Sequence, residues 1–260
     1  MADTPVTLEI AAPFVAVLTI DRPPVNALDR TTREGFVALL EELHEREDVR
    51  AIVLTARGKL FCAGADIREK QALGARAGDL MRADRVTRDA FFTLLDIGKP
   101  VIAAVNGGAL GAGFVLAACC DIILAAEDAW FAMPEIDVGQ GGGASILQRI
   151  LPPAKMRRMM LTGERVPAAE LHRLGAVESV HPAAELLPAA IALATTLAQK
   201  SPTAVRRIRS SFGTVEALGL RDGFRLEQAY TTELSRSADA EEARRAFFEK
   251  RKPDFGGPGR

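Results

Sequence analysis

Apolar runs of strand length alternate with helix-like patterns along the first half of the chain. Strand patterns occupy residues 14–20, 51–55, 101–105 and 121–124, and the last three are almost unbroken runs of apolar side chains. Residues 7–10 are expected to pair with the first strand as a hairpin. Continuous apolar strands separated by helices are typical of a mostly parallel sheet with both faces covered. The pattern therefore predicts an α/β fold.

Helical spacing first appears at residues 31–47, where apolar side chains fall on one face and polar residues lie between them. Asp29 or Thr31 is the expected N-cap, because a side-chain oxygen there can accept a hydrogen bond from the first turn. The apolar positions are Phe36, Leu39, Leu40 and Leu43.

Beyond about residue 150 the strand patterns fade and helical patterns dominate. We predict a sheet-containing core over residues 1–195 and a helical C-terminal region over residues 196–260. The helices expected in this second half span residues 186–199, 202–212, 221–235 and 240–250.

Composition narrows the function classes. The 33 basic residues are balanced by 34 acidic ones, so the chain lacks the basic surplus that nucleic-acid binding uses. No apolar run reaches the roughly 18–20 residues that cross a bilayer, and the first residues do not follow a secretory pattern. Three cysteines form an odd set, which suits a reducing compartment. We expect a cytoplasmic enzyme without nucleic-acid or membrane partners.

The first of three small-residue junctions spans residues 61–67 and follows a predicted strand. Ala63, Gly64 and Ala65 are small enough for a ligand to approach the backbone, which leaves amide groups available as donors. An ordinary strand-to-helix turn capped by Asp66 explains the same residues equally well.

The second junction spans residues 105–115 and leads from a buried strand through glycines into an apolar helix. Free N–H groups at the start of a helix suit an anionic oxygen. A dinucleotide fingerprint is excluded, because a third glycine at the required offset is missing after Gly111 and Gly113. Phosphate binding stays open, but the oxyanion of an acyl group fits the apolar surroundings better.

The third junction spans residues 131–143 and contains a carboxylate, Glu135, between Pro134 and a glycine cluster. Burial raises the pKa of such a carboxyl group and brings it towards the range that proton transfer requires. The alternative is a glutamate that caps a helix or forms an ion pair. Asp137 is expected to be a structural partner.

In their order and spacing the three junctions resemble the enoyl-CoA hydratase/isomerase (crotonase) superfamily. Further matching segments are PVNAL at 24–28, CDII at 120–123, LTG at 161–163 and FEKRKPDF at 248–255. The resemblance implies a spiral of ββα units with a C-terminal helical region that assembles homotrimers or dimers of trimers. It also implies an acyl-CoA substrate and a stabilised thioester enolate. Coenzyme A is then part of the substrate, and neither a separate cofactor nor a metal is expected.

The resemblance assigns roles residue by residue. The amides of Ala65 and Ala112 match the oxyanion donors, although the family usually has glycine at the second position, and Glu135 matches an acid/base. The residues implied to line the substrate and CoA groove are Ala27, Leu28, Ala63, Asp66, Ile67, Arg68, Gly108, Leu110 and Val115.

Two departures bear on the reaction. Hydratases of the superfamily use a second glutamate, whose position holds Val115 here. Dienoyl-CoA isomerases place an aspartate eight residues beyond the matched glutamate, where this chain has Gly143. The match therefore favours isomerisation of an enoyl-CoA with Glu135 as the single acid/base. An enoyl-CoA hydratase, a CoA-ester decarboxylase and a non-catalytic CoA-ester-binding subunit remain alternatives.

Residues 68–99 differ from the rest, because they are charged and contain Gly74 and Gly78 before an amphipathic stretch. We interpret them as a mobile flap that leads into a helix. The part over residues 68–90 is expected to set selectivity for the acyl group.

Overall fold

The computed structural model describes residues 5–72 and 76–256, and these form two sheets surrounded by helices. The larger sheet has the strand order β1-β2-β3-β5-β7-β10, and only the β1–β2 pair is antiparallel. Its strands are β1 (Val6–Ala12), β2 (Phe14–Ile20), β3 (Val49–Ala56), β5 (Val101–Val105), β7 (Ile122–Ala126) and β10 (Ser179–His181).

The larger sheet confirms the strands predicted from apolar runs. β3 and β5 are buried along nearly their whole length, as expected of parallel strands inside a sheet, and α8 packs against both of them. The predicted hairpin is present, with Val6 opposite Ile20 and the turn at Pro13. Its first strand is mostly exposed on one face, as an edge strand can be.

The smaller sheet places the three junctions next to one another. Its order is β4-β6-β8-β9, with the first three strands parallel and the last antiparallel. Parallel strands carry their carboxyl ends to one edge, so the loops that follow β4, β6 and β8 meet there. The strands are β4 (Leu60–Cys62), β6 (Gly108–Leu110), β8 (Trp130–Ala132) and β9 (Val166–Pro167).

Helices surround the sheets, and α8 lies across the larger sheet while α1 packs against α3. Asp29 caps α1, with its Oδ1 accepting from Thr32 N at 2.8 Å. The helices are α1 (Arg30–Glu45), α2 (Ile67–Ala72), α3 (Asp79–Asp96), α4 (Ala112–Ala118), α5 (Ala144–Leu147), α6 (Pro153–Thr162), α7 (Ala168–Arg173), α8 (Ala183–Ala198), α9 (Pro202–Val215), α10 (Leu220–Ser235) and α11 (Ala238–Phe248), with a 3₁₀ helix over Pro134–Val138.

A buried arginine attaches the C-terminal helices to the core. Arg209 of α9 donates from Nε to Asp121 Oδ2 at 2.8 Å. Its other nitrogens donate to carbonyl oxygens at the end of α3, including Leu94 O and Leu95 O at 2.8 Å each. One guanidinium group thus satisfies a carboxylate and several carbonyl groups that the end of a helix leaves unpaired.

The structure adds detail to two expectations from the sequence. Helices dominate beyond residue 150, as expected, and β9 and β10 also lie there, each too short for a periodic pattern. The segment expected as a flap is largely helical, since α2 and α3 cover most of it; Gly74 lies outside the described residues. The division at residue 195 falls within α8 and stays a prediction. None of the helices within residues 5–72 and 76–256 is both long and apolar enough to cross a membrane.

Candidate active site

A cavity of 530 Å³ opens where the three junctions meet. α3 forms its opposite wall, so the site lies between the edge of the smaller sheet and a helix. The junction residues that line it are Ala63, Gly64, Ala65, Ile67, Gly111, Ala112, Val115, Pro134, Glu135, Asp137, Val138, Gln140, Gly141, Gly142 and Gly143.

A larger cavity, of 670 Å³, lies between the end of α1 and the start of α9. Most of the residues that line it are charged. Lys99, one of the basic residues, already donates from Nζ to the carbonyl oxygens of Leu43 and Arg46. Its described lining includes no residue of the three junctions. The smaller cavity is therefore the better candidate for chemistry.

The first loop leaves one amide available. Ala63 N donates to Val25 O at 3.0 Å, Gly64 N approaches Cys62 Sγ at 3.4 Å, and Asp66 N donates to Leu28 O at 3.3 Å. Among the described residues, no acceptor is bonded to the N–H of Ala65. Ala65 lines the cavity, so the expected first oxyanion donor has a free amide there.

The second loop also leaves an amide available. Gly111 N is engaged with Ala132 O at 2.9 Å, and Val115 N closes the first turn of α4 on Gly111 O at 3.0 Å. Ala112 is the first residue of α4, and within the described residues its N–H has no acceptor. It lines the same cavity as Ala65.

The two loops touch at Gly64. A methyl group added to this glycine would lie 2.8 Å from Leu110 O and 3.3 Å from Ala112 N. Gly64 also has a φ of +90°, a conformation that side chains with a Cβ rarely adopt. A glycine is required here, and the close approach brings the loop that carries Ala65 next to Ala112, in the lining of one cavity.

Glu135 stands beside the second amide. It lies in the first turn of the 3₁₀ helix, and a methyl group on Gly111 would come 2.9 Å from its Cδ atom. Gly111 has a φ of +52°, so glycine is favoured by the backbone as well as by the space that the carboxylate fills. The carboxylate is therefore held against the loop whose next residue, Ala112, presents the free amide.

The two positions that could hold a second acid are neighbours and are both apolar. A methyl group on Gly143 would lie 2.6 Å from Val115 Cγ2, so the side chain of Val115 occupies the space above this glycine. Val115 is 4% exposed, and Met133 closes the other side at 3.2 Å from the same point. This wall cannot accept or donate a proton.

The predicted groove residues divide into two groups. Ala63, Ile67 and Val115 line the cavity together with Ala65, Ala112 and Glu135. The others lie beside the site, and their part in CoA binding stays a prediction. These are Ala27 and Leu28, both buried under the first loop; Asp66 and Arg68 at the start of α2; Leu110, next to Gly64; and Gly108, packed beneath Trp130.

Sequence patterns did not reveal the wall that α3 contributes. Its lining residues are Asp84, Thr87, Arg88, Phe91 and Phe92. These residues are spaced so that they share one face of α3. The spacing predicts the helix but does not indicate which part of the protein this face lies against. Ser145 and Ile146, just beyond the third junction, complete the lining.

Cys62 borders the site without being available for chemistry. Its side chain is buried, and burial raises the pKa of the thiol to about 12, although the hydrogen bond from Gly64 N opposes the shift. A thiolate nucleophile is therefore absent at neutral pH. Among the described residues, no cluster of His, Cys, Asp and Glu could hold a metal ion.

The chain is similar to known proteins over nearly its whole length. The family model for enoyl-CoA hydratase/isomerase matches residues 11–258. The chain belongs to the enoyl-CoA hydratase/isomerase family. It is therefore an enzyme of a family that acts on acyl-CoA thioesters, as the resemblance implied.

Individual relatives cover nearly the full length of the chain. A probable enoyl-CoA hydratase of Mycobacterium bovis is 38% identical over 93% of this chain and 94% of its own. A (7aS)-7a-methyl-1,5-dioxo-2,3,5,6,7,7a-hexahydro-1H-indene-carboxyl-CoA hydrolase of Mycobacterium tuberculosis is 34% identical over 95% and 99%. The crystal structure of an enoyl-CoA hydratase from Bacillus anthracis superposes with a TM-score of 0.92 at 30% identity, over 98% of this chain and all of that one. The predicted α/β crotonase fold is confirmed.

Proposed function

We propose that this family member isomerises enoyl-CoA thioesters, moving a double bond from C3 to C2 with Glu135 as the single acid/base. The observation that supports this proposal is the Glu135 carboxylate beside two free amides, in a cavity where the two positions matched to a second acid hold Val115 and Gly143. A shift of a double bond needs one proton to move and no water molecule.

The proposed reaction balances with these groups alone. The Glu135 carboxylate removes a proton from C2 of a 3-enoyl-CoA, and the electron pair delocalises onto the thioester oxygen and C4. The amides of Ala65 and Ala112 hold the negative oxygen, and each such donor contributes about 3 kcal/mol of transition-state stabilisation. The protonated Glu135 then delivers its proton to C4, which leaves a 2-enoyl-CoA and restores the carboxylate.

Hydration of a 2-enoyl-CoA is the second candidate. Relatives at 34–38% identity are named probable enoyl-CoA hydratase or carnitinyl-CoA dehydratase. Asp84 and Asp137 also line the cavity, and either would supply a second carboxylate to hold a water molecule against Glu135. The names of these relatives favour addition or removal of water, whereas the apolar wall of Val115 and Gly143 favours isomerisation.

A panel of substrates separates the candidates. The native enzyme and Glu135→Gln are assayed with 3-enoyl, 2-enoyl and malonyl-type CoA thioesters. We expect turnover of the 3-enoyl thioester and a loss of about 10²–10⁴-fold in Glu135→Gln, as for removal of a general base. Normal addition of water to 2-enoyl-CoA with no action on 3-enoyl-CoA would replace isomerisation by hydration. Full activity of Glu135→Gln would remove Glu135 from the mechanism, and binding without turnover on any thioester would indicate a non-catalytic subunit.

We also propose that the C-terminal helices assemble a homotrimer or a dimer of trimers in the cytoplasm, with coenzyme A supplied only as part of the substrate. Large apolar side chains on these helices are exposed in the single chain, namely Leu220, Phe224, Phe247 and Phe248. Exposed apolar surface of this kind marks interaction sites. Sedimentation equilibrium tests the assembly, and a monomeric mass at micromolar concentration would refute it.

A further inference from the structure

The loop that presents the Ala65 amide lies outside regular secondary structure. β4 ends at Cys62 and α2 begins at Ile67, so neither element fixes the peptide plane between them. Three main-chain hydrogen bonds to residues 25–28 hold the loop instead: Ala63 N to Val25 O, Leu28 N to Gly64 O and Asp66 N to Leu28 O, at 3.0, 2.8 and 3.3 Å. The position of this amide therefore depends on the position of residues 25–28.

Three side chains hold residues 25–28: Arg22 Nη1 donates to Ala27 O at 3.2 Å, Arg33 Nη1 donates to Leu28 O at 2.6 Å, and the buried Asn26 connects the segment to β4. Asn26 alone lies within the segment. It is 3% exposed and has a φ of +54°, a conformation that asparagine tolerates better than most residues. Its Oδ1 accepts from Arg22 N at 2.9 Å, and its Nδ2 donates to Arg57 O at 2.7 Å and to Leu60 O at 2.8 Å. Every hydrogen-bonding group of the amide except one lone pair is used.

The contacts of Asn26 form a closed path around the site. Leu60 is the first residue of β4, which runs directly into the loop at Ala63. Asn26 thus fixes residues 25–28 against the base of β4, while those residues brace the loop at the far end of the same strand. From this we infer that Asn26 is a positioning residue that sets the direction of the Ala65 N–H. The inference rests on the proposed role of that amide as an oxyanion donor.

The side chain is removed most cleanly by Asn26→Gly. Glycine adopts a φ of +54° without strain, whereas alanine at this position would combine strain with the loss of contacts. Asn26→Asp is the second variant, because it keeps the acceptor to Arg22 N but turns a carboxylate oxygen towards the carbonyl oxygens of Arg57 and Leu60. Thr55→Val is the matched control, since Thr55 is also buried and donates to a main-chain oxygen, Ala104 O, at 2.9 Å.

The probe is acetoacetyl-CoA, whose enolate has its own ultraviolet absorbance and forms without turnover. An oxyanion hole stabilises the bound enolate, so the ionisation constant of the bound thioester reports the hole directly. For Asn26→Gly and Asn26→Asp we expect that constant to fall by about 10- to 100-fold relative to the native enzyme, the scale of a misplaced catalytic group. Affinity for acetyl-CoA is expected to stay unchanged, and Thr55→Val is expected to ionise acetoacetyl-CoA as the native enzyme does.

Several outcomes overturn the inference. A folded Asn26→Gly or Asn26→Asp enzyme that ionises acetoacetyl-CoA normally would show that the side chain does not position the amide. An equal loss in Thr55→Val would mean that general destabilisation explains the effect. Absence of ionisation by the native enzyme would remove the donor role on which the inference rests. If the native enzyme ionises acetoacetyl-CoA but leaves 3-enoyl-CoA unchanged, the proposed isomerisation fails while the role of Asn26 stands.

Discussion

The two loops that present free amides are held in place by different means. Ala112 is the first residue of helix α4, and the amide of its neighbour Gly111 donates a hydrogen bond to Ala132 O of strand β8. The Ala65 amide lies in an irregular loop that depends on residues 25–28, almost forty residues earlier in the chain. One donor thus begins a helix that a neighbouring strand supports, whereas the other lies in an irregular loop bonded to a distant segment, so substitutions in the two loops should have different consequences.

The largest effect on catalysis is expected for Gly64→Ala in the first loop. The new methyl group would meet backbone atoms, 2.8 Å from Leu110 O and 3.3 Å from Ala112 N, and would force the two loops apart. We expect kcat to fall by about 10²–10³-fold, as when an oxyanion donor is lost. The free energy of unfolding should fall by about 2–4 kcal/mol from overpacking and backbone strain. Steady-state kinetics and urea unfolding measure both, and a stable variant with native kcat would show that the loops do not approach this closely.

A smaller effect with a different signature is expected for Gly111→Ala in the second loop. Here the methyl group would meet the end of a side chain, the Glu135 carboxylate, which can move away. We expect kcat to fall by about 100-fold as the base is displaced, while stability falls by only about 1–2 kcal/mol from the positive φ.

A double-mutant cycle isolates the clash at Gly111. In a Glu135→Ala background the carboxylate is gone, so Gly111→Ala should cost only the strain of its backbone. A stability loss as large as that of Gly64→Ala would contradict the proposed difference between the loops.

The last prediction concerns the buried thiols near the two loops, whose titration changes stability at high pH and leaves catalysis at neutral pH unaffected. Burial raises the pKa of Cys62, under the first loop, and of Cys119, just after α4, each to about 12, and it raises that of Cys120 as well. Because the unfolded chain releases these protons near pH 9 and the folded chain does not, unfolding becomes easier as the pH rises from 9 towards 12. The free energy of unfolding should fall by up to about 1.4 kcal/mol per pH unit for each thiol.

Urea unfolding between pH 8 and 11 measures this pH dependence of the free energy of unfolding. Cys62→Ala should reduce the pH dependence by the contribution of the Cys62 thiol. Alkylation by iodoacetamide at pH 8 provides a second readout, since the native thiols should react far more slowly than those of the unfolded chain. Rapid alkylation of the folded enzyme would contradict the burial of these cysteines.

Several features of the site could be predicted from the sequence because they depend on neighbouring residues. The apolar runs gave the central strands, and Asp29 and Asp66 each accept from amides of the helix turn that follows. Glu135 between proline and glycines is a local signal of the same kind. The resemblance added the roles of Ala65 and Ala112, whose free amides lie in one cavity.

The tertiary structure alone decided which of these local features meet. The strands that bring the junctions together are three residues long, too short for any period, and their pairing is a long-range event. The wall from α3 and the contact of Gly143 with Val115 likewise join segments far apart in the chain. The sequence by itself thus determined the local conformations and the chemical groups. Only the tertiary structure decided which amides of the first loop are bonded. The amides of Ala63 and Asp66 donate to Val25 O and Leu28 O, and the Ala65 amide between them stays free.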